Sequence, residues 1–299
     1  MFGIGTFCAL LLSIVAGIRP PAVYVRPATG MGAEAARPIH AASPLEPARK
    51  YSEAIEGNSF FIEEAYNQDP RRVHQMVNGL YVRDKGANFF GTFGQEWPVG
   101  GLHHQLSYEV SYDSLEGGAV RGLTDSFVDY RYQVGTKGTD WAVVTPRVSL
   151  VVPTGKVSRG LGCGVFGFQL ALSASRRFSE HWVAHANAGW EFLPKAKCLT
   201  ADGRNVRQDL SSGYFGGSVI WLAKPAFNVV FECLVTDIAS FAPDGTVGTA
   251  WQTIISPGLR WAVNWGPSQL VPGIAAPLIF AAGKARIGLF LYIAFENKY

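Results

Sequence analysis

Ten ionisable side chains, Glu109, Asp113, Asp129, Arg131, Arg147, Arg177, His185, Glu191, Glu232 and Arg260, stand at alternate positions of runs whose intervening residues are apolar. Alternation places each on one face of a strand and its apolar neighbours on the other. Gathered inside a closed sheet, such a set can do two things. It can form a salt-bridge and hydrogen-bond network that fills the interior, or it can line a passage whose selectivity it sets. Within a narrow lumen, Arg131, Arg147, Arg177 and Arg260 are expected to pair with Glu109, Asp129, Glu191 and Glu232.

Other spacings that evoke chemistry fail on context. Gly162, Gly164 and Gly167 have the spacing of a dinucleotide fingerprint, which requires a strand before it and a helix after it. Here Phe166, Phe168, Leu170 and Leu172 follow, an alternating strand. The segment Pro153 to Lys156 lacks the full phosphate-loop pattern. His181 and His185, four apart on a strand, would lie about 13 Å from each other at roughly 3.3 Å per residue, too far to share a metal. His103 and His104 are adjacent and point to opposite faces. No Ser-His-Asp arrangement stands out. The expectation is therefore no catalytic residue, no metal site and no cofactor.

The elements that must position the polar set are strands throughout. From about Val73 the pattern has period two, in runs separated by Gly, Pro, Asp and Ser clusters. Val128, Tyr130, Tyr132 and Val134 oppose Asp129, Arg131 and Gln133. Leu106, Tyr108, Val110 and Tyr112 oppose Gln105, Ser107, Glu109, Ser111 and Asp113. Twelve runs are expected, at 72–83, 87–97, 102–113, 123–134, 140–152, 164–177, 181–193, 209–222, 226–237, 248–263, 268–280 and 284–297. Their lengths suit the roughly 9–11 residues with which a tilted strand crosses a bilayer. The connections alternate as they do in outer-membrane barrels. Those near residues 98–101, 135–139, 178–180, 223–225 and 264–267 are short, and those near 114–122, 153–163, 194–208 and 238–247 are long. Trp97, Trp141, Trp182, Trp190, Trp221, Trp261 and Trp265 fall near run ends, as aromatic girdles do.

Composition agrees. The 299 residues are 48% hydrophobic and only 16% charged, below the roughly 25% of soluble domains, so an apolar medium should cover part of the exterior. The net charge of +3 is dispersed, and no basic block with interleaved aromatics suggests nucleic acid. Residues 1–18 read as a signal peptide or apolar export segment, 19–58 as a flexible Pro/Ala-rich leader and 59–299 as the barrel. Ser59 to Gln75 could be a periplasmic strand, a short helix or a segment folded into the lumen as a plug. Cys163 and Cys198, on neighbouring long connections at the oxidising exterior, form a candidate disulfide. Cys233 is expected on the lipid-facing side of its strand.

The segment from Pro146 to Gly155 (PRVSLVVPTG), Leu170 to Ser179 (LALSASRRFS) running into His185 to Gly189 (HANAG), and Ser256 to Arg260 (SPGLR) resemble the outer-membrane proteins known as phenol-degradation meta-pathway transporters. The resemblance covers about residues 60–299. It implies an all-β, transmembrane, antiparallel up-and-down barrel of about twelve strands in the cell outer membrane, passing small hydrophobic or aromatic solutes. Its implied partners are outer-membrane lipid, the small solute and, during biogenesis, the barrel assembly machinery. The aromatic-ended last strand fits the last of these. A closed structural or adhesion barrel and an outer-membrane hydrolase are the competing readings.

Overall fold

The computed structural model describes residues 55–57, 59–84, 86–138, 140–200, 202–266 and 268–298. The export segment and all but the end of the leader lie outside them. The strands are β1 (Arg72–Arg83), β2 (Ala87–Pro98), β3 (His104–Leu115), β4 (Val120–Leu123), β5 (Ser126–Tyr132), β6 (Val143–Val152), β7 (Gly167–Arg177), β8 (Trp182–Leu199), β9 (Asn205–Lys224), β10 (Phe227–Phe241), β11 (Val247–Trp261), β12 (Val263–Trp265), β13 (Ser268–Ala275), β14 (Leu278–Ala281) and β15 (Lys284–Lys298). Three of the walls are interrupted: β4 continues into β5, β11 into β12, and β13 into β14. The result is a twelve-stranded antiparallel barrel.

Each strand pairs with its neighbour in sequence, and β1 closes on β15 in register from Arg72↔Lys298 to Val82↔Gly288. Closure leaves no sheet edge, which a strand structure in lipid requires because no water is there to satisfy free N–H and C=O groups. Pro277 separates β13 from β14, and the wall stays joined there by bonds from the Ala276 N–H to the Pro257 carbonyl (3.0 Å) and from the Gly288 N–H to the Pro277 carbonyl (2.8 Å). Ala282 and Gly283 both take positive φ (50° and 71°) and make the two-residue turn between β14 and β15.

The period-two reading holds through the wall. Val128, Tyr130 and Tyr132 are exposed on the outward face, while Asp129 and Arg131 are buried on the inward face. The same holds in β7, where Phe168, Leu170 and Leu172 face out and Gln169 and Ser173 face in. Exposed apolar side chains on every side form the band that lipid covers in this fold class. Near the end of the barrel with tight turns, Trp182 stacks on Trp221 with ring centroids 6.4 Å apart.

Two expectations are corrected. The connections at 194–208 and 238–247 are not long loops: β8 and β9 stay paired out to Leu199↔Asn205, and β10 and β11 out to Phe241↔Val247. Their backbone polar groups are satisfied by continuing the ladder beyond the membrane band. A bulge at Pro194 and Lys195, where Lys195 takes φ 51°, absorbs the proline. The other correction concerns the leader, since Ile55–Gly57 lie inside the barrel with the residues that follow them.

Candidate functional site: the lumen, its plug and its vestibule

Residues 55–57 enter the turn end of the barrel, and residues 59–69 reach mid-depth near Phe61–Glu63 and return to the turn end before β1. Of the three structures open for Ser59 to Gln75, the chain up to Asp69 adopts the plug. Such irregular backbone is tolerated at membrane depth only where protein satisfies it, and the inward side chains do so. The Glu232 carboxylate on β10 accepts the N–H groups of Phe60 (2.9 Å), Phe61 (2.9 Å) and Ile62 (3.2 Å). Asn187 on β8 bonds Glu63 like a second peptide, accepting its N–H (2.6 Å) and donating to its carbonyl (2.7 Å). Gln133 accepts the Asn67 N–H, and Gln105 accepts that of Gln68.

The arginines complete the harness. Arg260 donates to the Ile55 carbonyl (2.9 Å) and to that of Gly57. Arg131 pairs with Glu63 (3.0 Å) and donates to the Glu64 carbonyl. Arg147 sits between Glu63 and Asp129, 3.4 Å from each, and also reaches Gln169 (2.8 Å). Arg177 pairs with Glu56 at 2.5 Å. The expectation that the wall's own opposite charges pair is thus met by Arg147 and Asp129. Arg131 and Arg177 take carboxylates of the plug instead.

His185 ties the plug at two points. Its Nε2 must donate to the Glu56 carbonyl (2.9 Å), so in the neutral ring Nδ1 accepts from the Ser175 hydroxyl (2.7 Å). The Ser175 oxygen accepts the Ala65 N–H (2.7 Å). This serine and histidine are therefore engaged in holding the plug. All ten residues singled out in sequence point inward, and Glu109, Asp113 and Glu191 line a different space from the arginines. That space is a vestibule at the hairpin end, with a cavity volume of about 110 Å³, walled also by Phe90, Phe127, Leu193 and Ile238.

The connection after β6 folds inward as the vestibule's roof. Asp125 holds it, accepting the N–H groups of Gly155 (3.0 Å) and Cys163 (2.8 Å). Cys163 is buried in an apolar cluster with Phe127, Leu193 and Leu210, and Cys198 packs against the same cluster. Cys233 lies on the outward phase of β10 between Glu232 and Leu234. At the exposed hairpin tip, hydrogen bonds from the Thr200 hydroxyl and the Arg204 guanidinium hold the Asp202 carboxyl below its ordinary range.

The plug's partners among the amides, Asn187, Gln133, Gln105 and Asn228, were not singled out in sequence, although each occupies an inward phase of its run. Inward glycines were a second signal. A Cβ on Gly216 would meet Ile62, and one on Gly258 or Gly273 would meet Phe60. Glycine inside a strand marks a close approach of this kind.

No protein-family model and no curated protein matches the chain. Among solved structures, an outer membrane channel from Pseudomonas putida F1 superposes with a TM-score of 0.58 at 11% identity, over 79% of this chain and 98% of that one. The NanC porin superposes with a TM-score of 0.51 at 11% identity, over 75% of this chain and all of the porin, 100%. The fold is that of an outer-membrane β-barrel.

Proposed function

We propose that this protein is an outer-membrane channel for small hydrophobic or aromatic solutes, oriented with its tight turns and plug toward the periplasm and its vestibule toward the exterior. The observation that carries this reading is the division of the lumen. A vestibule whose walls set apolar side chains beside the carboxylates of Glu109, Asp113 and Glu191 opens at one end, and the other end is closed by a segment held only through side-chain contacts, without a strand of its own. An element outside the ladder can leave without breaking the wall. The resemblance of residues 60–299 to phenol-degradation meta-pathway transporters supports the solute class, and the likeness to channels and porins supports a non-enzymatic barrel.

The density of contacts to the plug favours a second reading, a closed structural barrel, and one experiment separates the two. Reconstituted in liposomes containing lipopolysaccharide, the wild-type protein is expected to pass a small aromatic solute while conducting ions poorly. Glu232→Ala removes the acceptor of three plug N–H groups and is expected to raise single-channel conductance. Absence of both solute flux and conductance, in wild type and variant alike, would leave the closed barrel.

A further inference from the structure

The plug's apolar side chains lie in a site that the wall has left unfilled. Gly258 on β11, Gly273 on β13, and Phe290 and Tyr292 on β15 occupy inward phases of three neighbouring strands, in registers Gly258↔Ala275, Gly273↔Tyr292 and Ala275↔Phe290. Two positions thus lack a side chain beside two that carry rings. The space between them holds the ring of Phe60. Its centroid stands 5.6 Å from that of Phe290 and 5.9 Å from that of Tyr292, with interplanar angles of 59° and 65°, the tilted and edge-on arrangements that aromatic rings prefer. A Cβ at Gly273 would come within 2.5 Å of Phe60 Cε1, and one at Gly258 would also strike the ring. Phe61 also packs against Phe290, with ring centroids 4.7 Å apart.

The way Phe60 is held separates its ring from its backbone. The backbone is fastened by charge-assisted bonds to Glu232, whereas the ring makes contacts that any flat apolar ring of its size could make. Packed apolar side chains link the slot to the vestibule. Phe90 lines the vestibule and belongs to the same buried cluster as Phe61, Leu80 and Phe290.

We propose that the slot walled by Gly258, Gly273, Phe290 and Tyr292 is the solute subsite of this barrel, that it takes a planar apolar ring of benzene size, and that Phe60 is its resident occupant until such a ring displaces it. The proposal rests on the channel reading and names its solute site. Displacement of the ring withdraws its share of the packing that seats the plug and leaves the polar harness alone to hold it, so solute arriving from the vestibule loosens the segment that blocks its exit. Ring-for-ring exchange needs no new polar partner, which is why the class is an unsubstituted or lightly substituted aromatic.

Amide hydrogen exchange of the full-length barrel in detergent tests this, read on the peptide that contains Phe60, Phe61 and Ile62. Toluene is expected to accelerate exchange there in a dose-dependent manner, by about tenfold or more at saturation, while strand peptides stay protected; glucose is expected to do nothing. In Gly273→Ala the added methyl takes space from either ring, so the plug peptide should exchange fast without solute and gain nothing from toluene. Plug exchange that toluene leaves unchanged in wild type, or raises equally in Gly273→Ala, overturns the subsite. Flux through the same proteins reconstituted in liposomes keeps the two readings apart. A toluene-loosened plug without solute passage keeps the subsite and removes the channel, whereas passage with unchanged plug exchange keeps the channel and removes the subsite.

Discussion

Glu232 shows what a lumen side chain is for in this barrel. A carboxylate on the inward face of a strand would be costly if left without partners, and here three consecutive backbone N–H groups surround it. The same exchange repeats at Asn187, Ser175 and Gln133, so the polar face serves the plug's backbone before it serves any solute. The cysteines belong to this scale as well. Cys163 and Cys198 share one apolar cluster, and the Lys197 N–H donates to the Cys163 carbonyl at 2.8 Å, which brings the two chain segments side by side. A bridge requires Cα atoms within roughly 4.4–6.8 Å. Oxidising export is expected to close it, so mass spectrometry of the non-reduced protein should recover a peptide linking Cys163 to Cys198, with Cys233 alkylated as a thiol. Alkylation of all three without prior reduction would show the pair open.

Among the elements, β7 gives the sharpest test of inside and outside. Its outward Leu170 is exposed beside Val148 and Trp190, and its inward Gln169 joins Arg147 to Glu191. An arginine facing lipid at mid-membrane costs about 2–4 kcal/mol. Leu170→Arg is therefore expected to block assembly, seen as loss of the folded, fast-migrating form on a gel run without boiling; normal assembly would invert the face assignment. The plug behaves differently, because it adds no ladder hydrogen bond. Among its buried apolar side chains, Phe60, Phe61 and Ile62 each contribute about 1.5–3 kcal/mol by leaving water, a contribution from packing and not from the ladder.

At the scale of the whole molecule, closure and the apolar band set the location. A barrel without edges, covered outside by Val, Leu, Phe and Trp side chains, is stable in lipid and insoluble without it. The protein is expected to fractionate with the outer membrane and to shift in gel mobility on boiling. Recovery as a detergent-free soluble monomer would end the barrel reading. Charge is divided along the same axis: the arginines gather around the plug in the turn half, while Glu109, Asp113 and Glu191 line the vestibule. Carboxylates and apolar walls thus line the vestibule end, and the harness of the plug occupies the turn end.

Strand identity, inward and outward faces and the count of twelve were legible in residues such as Asp129 and Arg131 between Val128, Tyr130 and Tyr132. A side-chain period of two is a local property, and a one-residue slip would have turned every polar group to lipid. The ten inward ionisable residues were legible for the same reason. What they touch was not. Whether Arg131 meets Glu109 or Glu63 depends on where residues 55–69 go, and those residues carry no periodicity that assigns them to the lumen. Likewise Gly258 and Gly273 lie 15 positions apart in the chain, and only the pairing of β11, β13 and β15 brings their missing side chains together with Phe290 and Tyr292 as one slot. Local pattern therefore determined the wall, and contacts between distant segments decided what the wall encloses.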